Sequence, residues 1–178
     1  MLVIARSMGE LSFGSLMEIY VEGNRENGEE LYPQEPEARQ IALAEQDFYD
    51  YLQNDFFTKE QSRYMILSEE GRYVSALRLE PYRDGLLLEA LETAPWARKR
   101  GFAAKLIRLV QEILTEEGSG PVYSHVSDRN VPSLAVHSKC GFRKILDYAV
   151  YLDGSVNRRS RTLRWEPDFP SEKTKKGT

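Results

Sequence analysis

The stretch "RYMILSEEGRYVSALRLEPYRDGLLLEALETAP", residues 63–95, holds three apolar segments joined only by "EEGR" and "YRDG". Connections that short, each with a glycine, leave room for a reversal and nothing else, so the segments run antiparallel as a meander. The last of them, Leu86–Thr93, runs into Pro95, and "WARKRGFAAKL" follows. Strand, basic turn and helix are thus consecutive, and the rest of the chain must be arranged around this sheet.

Before the meander, "LVIA" at residues 2–5 reads as a strand. Ser7 and Glu10 have capping-box spacing and predict a helix start, with Leu11, Leu16, Ile19 and Tyr20 on one face and an end near residues 24–28. "GEELYPQEPEAR" reads as a loop by its glycine and prolines. Ile41, Leu43, Ala44, Phe48, Tyr51 and Leu52 recur at helical spacing, which predicts a second helix over about 37–57. After Gly101 the spacing of Ala103, Leu106, Ile107, Val110, Ile113 and Leu114 predicts a third helix. Val122–Ser127 follows as a strand and "NVPSLAVHSKCGF" as a short helix, with Asn130 as candidate cap and Pro132 in the first turn. Two strands, "FRKILDYAVYL" and "RSRTLRWE", close the order around a turn at "DGSVNR". The fold class is therefore α/β (α+β): a mixed, mostly antiparallel seven-stranded sheet with helices on both faces. Residues 1–166 are expected to be one domain and 167–178 a disordered tail.

Composition removes several function classes. The 178 residues carry one cysteine, Cys140, so no internal disulfide forms, and two histidines with it are a poor metal set; no metal is expected. No apolar run approaches the roughly 20 residues of a membrane helix, and "MLVIARSMGEL" lacks a secretory signal's apolar stretch. The expectation is a cytoplasmic chain without membrane partners, a monomer or homodimer. A net charge of −4 argues against general nucleic-acid binding, and the basic turn and "NRRSR" lack interleaved aromatics. Glu26, Glu29, Glu30, Glu35 and Glu37 crowd together, as a solvated acidic face or as an attractor of a cationic substrate.

Arg98, Lys99 and Arg100 stand where a helix's first turn already presents unpaired N–H groups and the positive end of its dipole. Cations there suit a ligand with several negative charges, and strand–turn–helix geometry with glycine at the bend makes an anion site. Gly101 lets backbone approach the anion, and Ala103 and Ala104 leave the first turn uncrowded. The alternative is a solvated basic loop. Neither G-x-x-x-x-G-K-[ST] nor G-x-G-x-x-G is present.

Two motifs in order decide between them. Arg98-Lys99-Arg100-Gly101-Phe102-Ala103 resembles the [RQ]-x-x-G-x-[GA] pyrophosphate loop of the GNAT superfamily of acyl-CoA-dependent N-acyltransferases. Asn130, Ser133, His137, Gly141 and Phe142 resemble its later Asn-led helix closing on Gly-Phe. The element order from Leu2 to Trp165 matches as well. The resemblance implies a splayed central pair of parallel strands, Leu86–Thr93 and Val122–Ser127, with acetyl-CoA as acyl donor between them. The amides of Arg100, Gly101, Phe102 and Ala103 would hold the pyrophosphate, with charge from Arg98 and Lys99. Backbone of Leu91 and Thr93 would pair with the pantetheine arm as with another strand, and Asn130 and Ser133 would border it.

Acyl transfer by direct attack needs a neutral amine, donors for the developing oxyanion and a proton for the departing thiolate. The resemblance places the oxyanion donor near Leu91–Glu92. Many members of the superfamily have a tyrosine acid seven residues after the Asn; here that position is His137, either an acid or a packing residue of the short helix. His125 falls where the branch that acetylates protein N-termini often has a glutamate base, and is either base or packed strand histidine. Glu92 and Glu89 are rival bases on different sheet faces unless a bulge intervenes. Tyr148 and Tyr151 are proton donors, pocket lining or ordinary strand aromatics, and Cys140 is expected to be buried rather than acylated. The expected reaction is acetyl transfer to a primary amine, first a small amine or polyamine on the strength of the acidic stretch, second a peptide amine. The missing tyrosine leaves a rival from another class, a catalytically inactive CoA-binding sensor or scaffold.

Overall fold

The computed structural model describes residues 1–168. In chain order the elements are β1 (Leu2–Ala5), α1 (Phe13–Ile19), α2 (Val21–Leu31), α3 (Glu37–Asn54), β2 (Arg63–Glu69), β3 (Arg72–Tyr82) and β4 (Gly85–Thr93). Then come α4 (Phe102–Glu116), β5 (Val122–Ser127), α5 (Val131–Lys139), β6 (Arg143–Leu146), β7 (Ala149–Val150), β8 (Val156–Asn157) and β9 (Ser160–Trp165). Seven strands form one sheet in the order β1-β2-β3-β4-β5-β9-β6. Only β4 and β5 in it are parallel.

Sheet pleating sends alternate side chains to opposite faces, and the register shows which. Tyr64 stands opposite Arg78, and Arg78 opposite Glu89. This face meets α1–α3: Tyr64 packs edge-on against Tyr20, and the Arg78 guanidinium lies over Phe48 and Tyr51. The other face receives α4, whose Phe102, Leu106, Ile107, Val110 and Leu114 are buried against Leu77, Leu79, Leu86 and Leu88 in the main core. Arg63 on that side closes on Glu117 with two hydrogen bonds of 2.8 and 2.6 Å.

Several expectations are corrected. Ser7 makes no side-chain cap; Glu10 instead accepts from the Arg6 amide at 2.6 Å, and only a turn of 3-10 helix forms at Met8–Glu10 before α1. The expected end at 24–28 is the middle of α2, and the expected loop shrinks to residues 32–36. Gly28 is the reason. It is not a breaker but the point where α2 meets α3, and a Cβ there would lie 2.6 Å from the Gln40 carbonyl oxygen. The expected penultimate strand "FRKILDYAVYL" breaks after Leu146, and Ala149–Val150 pairs with Val156–Asn157 as a separate two-stranded ribbon. In the expected tail, Pro167 and Asp168 have no regular structure and residues 169–178 lie outside the described ones. Among the described residues no helix is long and apolar enough to cross a membrane.

The Gly28 contact can be tested. Alanine's helix preference favours Gly28→Ala by up to ~1 kcal/mol, while prising α2 from α3 costs about 1–3 kcal/mol. The net result should be a melting temperature lower by roughly 2–4 °C for each ~1 kcal/mol lost, read by calorimetry. A variant melting above the parent would show that the two helices have slack at this point.

Candidate active site

Strands β4 and β5 pair at Leu86–Val122, Leu87–Tyr123 and Leu88–Ser124, and no further. Beyond Leu88 the edge of β4 facing β5 is open while β3 stays paired to it through Thr93. A bulge interrupts that second ladder: Arg78 stands opposite Glu89 and Ala76 opposite Glu92, so Ala90 and Leu91 together face Leu77. Ala90 takes the left-handed conformation at φ 48°, and its carbonyl accepts from the Tyr20 hydroxyl at 2.6 Å. The extra residue cancels the alternation between positions 89 and 92. Glu89 and Glu92 therefore share the α1–α3 face.

The basic turn sits at the end of β4. Lys99 and Gly101 are both left-handed, at φ 62° and 80°. Among the described residues the amides of Arg100–Ala103 have no hydrogen-bond partner, and a Cβ on Gly101 would meet no atom within 4 Å. Backbone donors thus converge on open space at the start of α4, as an anion site requires. Phe102 is buried beneath the turn with Arg100 over its ring at 4.7 Å, and half-buried Ala103 keeps the helix start small. The arginine side chains are already engaged. Arg98 pairs with Glu22 at 2.6 Å and Glu92 at 3.3 Å, and Arg100 with Glu69 at 2.8 Å. Lys99 makes no ion pair among the described residues. Thr93 is engaged too: its amide donates to Glu92 at 3.1 Å and its carbonyl accepts from Arg98 at 3.3 Å. Ala94 donates to Val74 on β3 at 2.9 Å, so alternation aims the backbone of Leu91 and Thr93 at the open side.

On the α1–α3 face a cavity of about 370 Å³ lies between α2, α3 and β4, lined among others by Tyr20, Asn24, Asp47, Tyr51, Arg78 and Ala90. It reaches the bulge at Ala90. Below it sits a charged group that sequence reasoning missed. Lys59 holds Asp55 at 2.8 Å and Glu80 at 2.7 Å, and Arg78 reaches Glu89 at 3.5 Å. Burial pushes the Glu89 carboxyl up, a hydrogen bond with Glu80 pushes the same way, and Arg78 pulls back only in part, leaving it at about 7. Arg78 and Glu80 alternate with Leu77 and Leu79 as the polar face of any half-exposed strand does. Nothing local marks that face as covered by α3.

The two histidines approach the splayed strands from opposite faces. His125 follows Tyr123 on the α1–α3 side, edge-on to Tyr82 and Tyr151 at 5.4 Å each, with both ring nitrogens buried and unpartnered. Burial, helped by Arg83, holds it below its ordinary value. His137 is buried in α5, which joins α4 through the 2.7 Å bond from Gln111 to the Cys140 carbonyl. Its Nδ1 lies 2.8 Å from the Ser133 carbonyl, which can only accept, so Nδ1 carries the proton and Nε2 is a buried lone pair without partner. Burial lowers its pKa against the opposing pull of that bond. Asn130 caps α5 by accepting from the Ser133 amide at 3.1 Å. Tyr148 sits half-buried in the break between β6 and β7, its carbonyl accepting from Thr162 at 2.7 Å. Cys140 is buried with its thiol pushed up by desolvation. Among the described residues no His, Cys, Asp and Glu cluster could hold a metal.

The sequence matches the acetyltransferase (GNAT) family over residues 22–142, more than half of the chain. No curated protein is matched. Solved structures with this architecture include the ribosomal-protein-S18-alanine N-acetyltransferase of Escherichia coli, at 15% identity and TM-score 0.62 over 97% of this chain and 98% of that one. The PaiA N-acetyltransferase of Thermoplasma acidophilum in complex with coenzyme A is 13% identical, with TM-score 0.61 over 93% and 99%. Mutant forms of the spermidine/spermine N-acetyltransferase SpeG of Vibrio cholerae are 17% identical, with TM-score 0.56 over 94% and 95%. At these identities the likeness is one of fold.

Glu89 yields a test that needs no ligand. An unfolded chain releases this proton near pH 4.5 and the native one only at about 7. Its stabilising contribution is thus fully present below the lower value and is lost as pH rises through the upper one. In Glu89→Gln that loss is absent, so the melting temperature of the variant minus that of the parent should climb across this window and level off above it. A difference independent of pH would mean that the carboxyl is not held protonated.

Proposed function

We propose that this chain, which belongs to the GNAT acetyltransferase family and is an acyl-CoA-dependent N-acyltransferase, transfers acetyl to the primary amine of a small molecule by direct attack. The observation that carries this reading is the cavity meeting the open stretch of β4 at Ala90. The residues present suit coenzyme A: unpartnered loop amides, open space over Gly101 and an unpaired strand edge. When bound, acetyl-CoA supplies an activated acetyl thioester. Arg100, Gly101, Phe102 and Ala103 would hold the pyrophosphate through backbone, with Lys99 adding charge. Arg98 and Glu92 position the turn and release Thr93 for the pantetheine arm, which Leu91 meets directly and Asn130 and Ser133 border. An enclosed cavity between helices suits a small molecule better than a peptide. The acidic residues that suggested a polyamine, Glu26, Glu29, Glu30, Glu35 and Glu37, are all exposed and line no part of it. A cytoplasmic place, where acetyl-CoA is made and used, belongs to the same reading.

For the base we favour Glu89 over Glu92. A carboxyl titrating at about 7 takes a proton from an ammonium at neutral pH, while Glu92 is tied to Arg98. His125 is the second candidate, on the strength of its two orphan nitrogens. His137 in its neutral form offers a lone pair, so it suits orienting a thiol or relaying a proton; as an acid it must first be protonated. Tyr148 is the other donor within this reading.

Acetyl-CoA should raise the melting temperature by mass action. Arg98→Gln with Arg100→Gln should shrink that rise while changing the free protein little, because exposed ion pairs are worth ~0–1 kcal/mol. Glu89→Gln should keep the rise and lower kcat by roughly 10²–10⁴ with any accepted amine, measured as free thiol released. Should Glu89→Gln turn over normally while His125→Phe does not, the base is His125. An acetyl-CoA shift unchanged in the double variant would remove the basic turn from the site.

A further inference from the structure

Arg78 is a buried cation without a full complement of partners. Its side chain is 14% exposed and the guanidinium lies 4.9 Å from the Tyr51 ring, 5.5 Å from Phe56 and 5.9 Å from Phe48. Aromatic faces attract a cation but accept no N–H bond in the way an oxygen does. Its Nε is buried and unpartnered, and the one carboxylate contact, to Glu89, is 3.5 Å, at the edge of hydrogen bonding. Glu80 is directed to Lys59. Glu89 shares a proton with Glu80 and is only in part an anion at neutral pH. A charge so placed is costly unless an anion joins it. The cavity opens onto this guanidinium, and with Arg78 as its lining cation its other charged wall is Asp47, already bonded to the Tyr32 hydroxyl.

We infer that the acceptor is a free α-amino acid, whose carboxylate binds Arg78 while its amine, one carbon away, lies against Glu89 and the bulge at Ala90. This rests on the acetyl-transfer reading and narrows its substrate. Arg78 and Glu89 are neighbours across the β3–β4 ladder, and an α-amino acid presents the complementary pair of charges on adjacent groups. The planar guanidinium matches a carboxylate fork. Tyr20, Phe48 and Tyr51 would take an apolar or aromatic side chain. A polyamine or simple alkylamine brings only positive charge to the same guanidinium and is rejected.

The test compares amines that differ by one group, with wild-type protein and saturating acetyl-CoA: leucine against isoamylamine, phenylalanine against phenethylamine, methionine against its decarboxylated amine, and spermidine. We expect kcat/KM for at least one amino acid to exceed that of its decarboxylated partner by about 10²-fold or more, and Arg78→Gln to erase the ratio. Equal or faster turnover of the decarboxylated amines or of spermidine overturns the inference and leaves acetyl transfer standing. Calorimetric titration of the same compounds into protein with CoA gives a reading independent of turnover. Amino acids that bind, lose binding in Arg78→Gln and are never acetylated would sink acetyl transfer and keep the carboxylate site. Amino acids that neither bind nor react overturn the inference. If Arg78→Gln does not fold, the paired wild-type comparisons decide alone.

Discussion

Strand β4 has two edges to satisfy and satisfies them unequally. Its ladder to β3 runs from Gly85 to Thr93, whereas its ladder to β5 stops at Leu88. Backbone polar groups on an open edge demand a partner, and here they lie between two well-packed halves of one sheet rather than at its rim. The bulge at Ala90 turns this defect into a site. It bends the strand at the place where pairing ends, and it carries Glu89 and Glu92 to one face, above which α2 and α3 leave a cavity. The turn at Lys99–Gly101 then continues the open edge into a set of unpartnered amides. Edge, turn and cavity form a continuous path.

Electrostatics along that path is organised by what is left unpaired. Lys59, Asp55 and Glu80 neutralise one another, and Arg63 is matched by both oxygens of Glu117 on the far face. Arg78 and Glu89 are held together more loosely, inside an aromatic frame that raises the energetic stake of every uncompensated charge. Stability alone would favour an apolar pair at these positions. Their presence is the kind of local inconsistency that marks a functional face.

The meander, the basic turn and the closing Asn-led helix were legible because each depends on local rules: glycine at reversals, proline after a strand, a side-chain cap on a first turn. Gly101 was read correctly as a left-handed bend because few other residues adopt it. Gly28 was misread for the same reason, since a glycine that permits close packing looks in sequence like one that ends a helix. The capping box at Ser7 failed because Arg6 offered Glu10 a nearer donor. Arg78, Glu80 and the cavity were invisible, because what covers a strand face depends on α3, which lies more than twenty residues upstream of Arg78. The bulge was foreseen only as a condition on Glu89 and Glu92.

That bulge makes β4 a strand whose two halves are out of phase. Up to Glu89 its even-numbered side chains enter the α4 side; after Leu91 the parity is inverted. Most substitutions leave such a phase change intact. Removing one residue between Glu89 and Glu92 does not: it restores plain alternation, sends Glu92 through the sheet and moves everything after it, including the basic turn, half a pleat out of step. The spacing between the end of the meander and the start of α4 is therefore a counted length, and it belongs to the site as much as any side chain does.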